Sequence, residues 1–199
     1  YNTVYNDNID VQAFVKDRER RVKLRLPDVK AITPVVDVVK KYKSILPMAV
    51  CSGSIRESVN ISIQAIGLAG VFKVILTSDS CYTGTDRVAE AALEIDADII
   101  INIQGDEPLL RAEMIDSLVQ NLQKNIDVPM ATLAYPDTDK NDLTDPGVVK
   151  VVLDSKGRAL YFSRSPIPAV RDRSSLPPYY KHLGFYAYRN GFLQEFSKL

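Results

Sequence analysis

Short apolar runs alternate with amphipathic stretches along most of the chain. From Asp10 to Lys23 charged residues dominate, with Val11, Phe14, Val15, Val22 and Leu24 on a roughly helical period, which predicts a surface helix. "PVVDVVKKYK" (34–43) opens on Pro and carries apolar residues at 35, 36, 38, 39 and 42, a second helix. "PMAVCSGS" predicts a strand breaking into a Gly turn, and "SIRESVNISIQAIGL" a helix with Ile55, Val59, Ile63 and Ile66 on one face and Gly67 as its cap. "VFKVILT" is the next strand. "GTDRVAEAALEID" follows as a helix with Val88, Ala91, Ala92 and Ile95 on its apolar side.

The alternation continues with "ADIIINI" (strand), "LLRAEMIDSLVQNLQK" (helix) and "VPMATLAY" (strand). After Pro136 the pattern changes. Val148 to Leu153, a turn at Asp154 to Gly157, and Ala159 to Phe162 predict a hairpin. Strands alternating with helices argue for an α/β fold, a Rossmann-like, mostly parallel sheet with helices on both faces; the hairpin adds an antiparallel extension. The run Asp98 to Ile103 is apolar enough to lie mid-sheet, buried on both sides.

Composition narrows the partners. At 199 residues one domain is the default and two small ones are possible. Lys plus Arg (25) equals Asp plus Glu (25), so no net field draws the chain to nucleic acid or anionic lipid, and a small-molecule partner is expected. Cys51 and Cys81 suit free thiols in a reducing compartment, which predicts a cytoplasmic location. No apolar run approaches the ~18 residues of a membrane span, and no signal peptide is evident.

Candidate chemistry sits at strand ends. "INIQGDEP" (101–108) ends an apolar strand in Gln104, Gly105, Asp106 and Glu107, where open parallel sheets collect ligands. Gly105 permits close approach of a ligand to the backbone. Asp106 is placed to hold Mg²⁺ beside a phosphate. Equally, Asp106 and Glu107 could cap the following helix. "TGTDRVAE" (83–90) opens a helix with free backbone NH groups, a phosphate or ring-edge site or a plain N-cap. Arg164 follows a strand and precedes two prolines that fix its turn, so its fork could meet a carboxylate or phosphate. His182, the one histidine, rules out a multi-His metal centre and is a ligand contact or a structural hydrogen bonder. Tyr186 and Tyr188, in the same strand, divide into one that faces a ligand and one that packs.

"TGTDRVAE", "INIQGDEP", "MATLA", "VVKVVLD", "ALYFSRSPIP" and "HLGFYAYR", in this order, resemble the 3-deoxy-D-manno-octulosonate (Kdo) cytidylyltransferases over about residues 71 to 199. The resemblance implies a Mg²⁺-dependent transfer of CMP from CTP to Kdo, releasing pyrophosphate, in lipopolysaccharide biosynthesis. It implies that Asp106 binds Mg²⁺ and, with Arg164, is catalytic; that Gly84, Thr85 and Arg87 line the cytosine pocket; and that Gln104, Arg164, His182 and Tyr186 meet Kdo. Family members continue beyond the point matching Leu199, with another metal-binding Asp and surfaces for a homodimer, so a C-terminally truncated domain is expected.

Residues 1 to 70 follow a different pattern and are expected to form an atypical, phosphatase-like N-terminal α/β segment, with a fusion as one reading of its origin. "LRLPDVK" (24–30) holds Arg25, Leu26, Pro27 and Lys30 of the family's triphosphate-gripping loop, but no apolar strand precedes it. About residues 31 to 79 resemble the middle of a haloacid dehalogenase-type phosphatase, with Ser52 as the phosphate-binding serine, yet the Asp-x-Asp nucleophile of that family is missing. A phosphatase and a non-catalytic nucleotide-binding remnant are therefore the alternatives.

Overall fold

The computed structural model describes residues 10–105, 107–169 and 178–199. The chain forms two compact units, Tyr1–Ile95 and Asp96–Leu199, each described by itself.

In the first unit, helix α1 (Val11–Arg25) starts at Asp10, whose carboxylate accepts from the backbone NH of Gln12 and Ala13. It buries none of its residues, as its mixed pattern predicts. A short turn through Pro27 leads to α2 (Thr33–Tyr42), which buries Val36, Val38 and Tyr42. Strands β1 (Ala49–Ser52) and β2 (Lys73–Leu76) pair in parallel, from Ala49 with Lys73 to Ser52 with Leu76. A parallel pair needs a crossover, and α3 (Arg56–Ala65) supplies it. That helix stops where Gly67 adopts φ +75°, a left-handed conformation without cost only for glycine. Helix α4 (Gly84–Ala92) packs on β1 and buries Ala89, Ala91 and Ala92.

The second unit is organised by one long strand. It contains β3 (Ile99–Ile103), α5 (Ala112–Lys124), β4 (Met130–Asp137), α6 (Lys140–Thr144), the hairpin β5 (Lys150–Leu153) and β6 (Ala159–Ser163), β7 (Tyr179–Arg189) and α7 (Asn190–Phe196). Strand β7 pairs with β4 on one edge, and with β3 and then β5 along the other, every pairing antiparallel. The α/β class and the antiparallel hairpin are as the pattern implies. The insertion of β7 between β3 and β4 is not: both strands precede it by many residues, and local periodicity carries no information on such pairing.

Burial of β3 corrects one expectation. Among the described residues of this unit the strand ends the sheet order rather than lying in the middle, Ile103 is 38% exposed, and the single buried residue of the run is the polar Asn102. An apolar run reports tolerance of burial, not its extent. Helix α5 lays Ile115, Leu118 and Leu122 on the sheet face that carries Phe185 and Ala187, and Arg189 ties its C-terminal end down through the carbonyls of Leu122 and Asn125.

Candidate active site

On β7, Tyr186 and Tyr188 share the face opposite to Phe185 and Ala187, because side chains alternate along a strand, and His182, beyond the register shift at Gly184 and Phe185, joins them by ring contact. Their rings form a continuous row. Phe162 meets His182 edge-on at 5.1 Å, His182 lies 5.4 Å from Tyr186, and Tyr186 stacks on Tyr188 at 6.0 Å. Both tyrosines therefore point the same way. Tyr188, 2% exposed, is the one that packs, against Phe196 of α7, and Tyr186 is left partly open. Burial pushes the His182 pKa down and the Tyr186 pKa up, so both side chains are neutral near pH 7. The imidazole Nε2 lies 2.8 Å from the hydroxyl of Thr132, which stands in the "MATLA" stretch but was given no role in the sequence reading.

Strand β3 brings Gln104 to the same face. Asn102 pairs with Tyr186 across the ladder, and its Oδ1 accepts from Gln104 Nε2 at 3.1 Å. The Asn102 side chain is 4% exposed, and its Nδ2 has no partner among the described residues, an exception that buried amides rarely make. Beyond Gln104 the chain turns, with Glu107 N donating to Gln104 O. A Cβ added to Gly105 would meet open space, consistent with close approach to its backbone. Glu107 is not a helix cap: α5 begins at Ala112 with Arg111 as its N-cap. Instead its carboxylate reaches down to Gly184, where an added Cβ would sit 2.8 Å from Oε1. A side chain at Gly184 would displace the Glu107 carboxylate from this position. Asp106, the predicted metal ligand, lies outside the described residues. Among those described, no group of three or more His, Cys, Asp or Glu side chains could hold a metal ion.

Arg164 stands just past the end of β6 and is exposed. One guanidinium nitrogen donates to Pro146 O at 2.7 Å, and no described contact joins it to His182 or Tyr186. Its backbone is anchored by a residue the sequence reading missed. Lys150, with no exposed surface, donates its Nζ to the carbonyls of Arg164 (2.6 Å), Val148 (2.7 Å) and Asp145 (3.0 Å). Three carbonyls satisfy the three ammonium donors, while burial pushes the lysine pKa down. A lone lysine in an apolar strand context is hard to tell from a surface residue by pattern.

In the first unit, Gly84 and Thr85 open α4 behind a complete capping box. Thr83 Oγ1 accepts from Asp86 N, and the Asp86 carboxylate accepts from Thr83 N. These hydrogen bonds, the one from the Thr83 backbone above all, hold the Asp86 pKa below its ordinary value. Arg87 turns inward to the β2–α4 loop, donating to Thr77 Oγ1 at 2.7 Å and to Cys81 O at 3.3 Å. Its guanidinium lies so close to Gly53 that a Cβ there would meet Nη1 at 2.8 Å. Gly53, in the turn after β1, is therefore fitted to Arg87. Ser52, expected to bind phosphate in the phosphatase alternative, uses its Oγ to accept from Ser54 N.

A parallel strand pair, flanking helices and an antiparallel sheet make a mixed α/β fold, which its structural neighbour identifies as that of a nucleotidyltransferase. The chain belongs to the cytidylyltransferase family, whose model matches residues 52–199. It is 52% identical over 147 residues to a 3-deoxy-manno-octulosonate cytidylyltransferase of Syntrophobacter fumaroxidans, covering 72% of this chain and 58% of that one. It is 40% identical over 171 residues to the enzyme of the same description from Desulfosudis oleivorans, covering 84% and 66%. A solved structure of CMP:2-keto-3-deoxy-manno-octonic acid synthetase complexed with CTP superposes with a TM-score of 0.71 at 36% identity, over 84% of this chain and 66% of that one. The chain thus spans between half and two thirds of the length of these relatives. Nothing in the matches supports the phosphatase alternative.

Proposed function

We propose that the chain carries out, as part of a Kdo cytidylyltransferase, the transfer of CMP from CTP to Kdo with release of pyrophosphate. The observation that carries this reading is the face of the second unit on which Gln104, His182 and Tyr186 meet, in a chain so similar to Kdo cytidylyltransferases. Neutral imidazole, phenol and amide groups are suited to the many hydroxyls of a sugar acid, and the exposed Arg164 fork to its carboxylate. In the first unit, Gly84 and Thr85 offer backbone NH groups at a helix start and Arg87 stiffens the loop beside them, so these three are assigned to the cytosine end of CTP. Asp106 is the residue assigned to Mg²⁺, which when bound neutralises charge on the CTP phosphates.

The Kdo anomeric hydroxyl attacks the α-phosphorus in line and pyrophosphate leaves. The work of the side chains is positioning and stabilisation of charge. Such an enzyme works where CTP is made, in the cytoplasm, and a second copy of the chain is the protein partner that goes with the reading. No described helix is long and apolar enough to cross a membrane.

Pyrophosphate release on incubation with CTP, Kdo and Mg²⁺ is the expected result, and Asp106→Asn should abolish it. Calorimetric binding of CTP without turnover would leave a nucleotide-binding protein. Absence of CTP binding would remove the assignment of Gly84, Thr85 and Arg87.

A further inference from the structure

The Thr132 hydroxyl is in contact with three groups. Its Oγ1 lies 2.8 Å from Phe185 O, 3.3 Å from Leu183 O and 2.8 Å from His182 Nε2. A threonine hydroxyl has one proton and two lone pairs, and a carbonyl oxygen can only accept. If that proton pointed at a bare Nε2, Oγ1 and Phe185 O would face each other at 2.8 Å as two acceptors. All the contacts are attractive in one arrangement: Oγ1 donates to the β7 carbonyls and accepts from Nε2–H. The backbone gives this arrangement its place. The β4–β7 ladder shifts register between Thr132 and Leu133, where β7 carries the extra residues Gly184 and Phe185, and such an irregularity re-aims side chains.

We infer that Thr132 is a positioning residue that fixes His182 as the Nε2-protonated tautomer and leaves Nδ1 as a bare acceptor for a hydroxyl of the sugar acid. The ring has little freedom to escape this role. Phe162 and Tyr186 contact it, and its own backbone NH is bound to Val149 O. No described hydrogen bond reaches Nδ1. Burial favours the neutral ring, the form in which the tautomer matters. Which nitrogen carries the proton is commonly set by the bond that the other nitrogen or its partner makes, and here the partner is itself committed by two carbonyls.

The assignment of a sugar acid to this face rests on the function proposed above, but the tautomer does not. His182 is the single histidine of the chain, so imidazole-nitrogen NMR of the protein reports on it alone. Near neutral pH the spectrum should show a protonated Nε2 and a bare Nδ1. Thr132→Val, which keeps the shape and removes the hydroxyl, should shift the spectrum toward a tautomer mixture, and Thr132→Ser should restore it. A protonated Nδ1 in the unsubstituted protein, or a spectrum unchanged by Thr132→Val, overturns the inference. In the transferase assay, loss of one hydrogen bond should raise the KM for Kdo ~5- to 10-fold in Thr132→Val while that for CTP stays within twofold, with recovery in Thr132→Ser. Equal rises in both KM values would mark a structural role and also overturn it. If the unsubstituted protein shows the expected tautomer but no transfer to Kdo, the function fails and the positioning stands.

Discussion

Lys150 shows what a single side chain contributes when it is read with its surroundings. It sits in "VVKVV", where a charged residue among valines predicts the exposed side of a strand, yet it has no exposed surface and closes two loops through three carbonyls. Replacing it with Met keeps the volume and leaves those carbonyls without their donor. Lys150→Met should therefore lower stability by about 2–4 kcal/mol, since each unpaired buried acceptor is costly and their losses are not additive. Urea unfolding with an unchanged slope checks it. Because one of the carbonyls belongs to Arg164, the same change should weaken whatever Arg164 binds. At Gly53 and Gly184 a charged side chain, Arg87 or Glu107, reaches the space that a Cβ would take, so a larger residue there would displace it.

At the scale of elements, α4 is the clearest case in which local sequence dictates local structure. Thr83 and Asp86 stand at capping-box spacing and form that box. Thr83→Ala should cost about 1 kcal/mol by loss of the cap, read as a lower melting temperature. The carboxylate adds a pH signature. The folded-state pKa of Asp86 is depressed, so its contribution is present above the ordinary Asp range and is lost as pH falls through the folded value. NMR titration of its carboxyl carbon should give a midpoint below 3.8. Strand β3 is the opposite case. Its apolar run predicts a strand correctly, but its place at the end of the sheet order follows from its pairing with β7, which is encoded more than eighty residues later.

For the molecule as a whole, the single histidine makes one part of the pH profile readable. Burial depresses the pKa of His182 below 6.5, so in the interval between the folded and unfolded values the unfolded chain binds more protons. The stabilising contribution is complete above the ordinary value and is lost as pH falls through the folded one. Unfolding free energy measured from pH 7.5 down to 5 should decline, and His182→Gln should flatten that decline. A profile unchanged in the variant would show that the ring is not buried as neutral imidazole.

The sequence by itself determined the elements, and it named the candidates for the site. Periodicity and turn residues mark helices and strands because they report the environment of neighbouring positions, and Gln104, His182 and Tyr186 stood in recognisable motifs. It also marked Gly84, Thr85 and Arg87 at a helix start, although the inward turn of Arg87 to Thr77 and Gly53 was not legible. Tertiary structure alone decided that β7 lies between β3 and β4, that Asn102 holds Gln104, and that Thr132 holds His182. The reason is physical. These are contacts between residues distant in the chain, set by strand pairing and by the direction of individual polar atoms. Neither leaves a periodic trace in the order of amino acids.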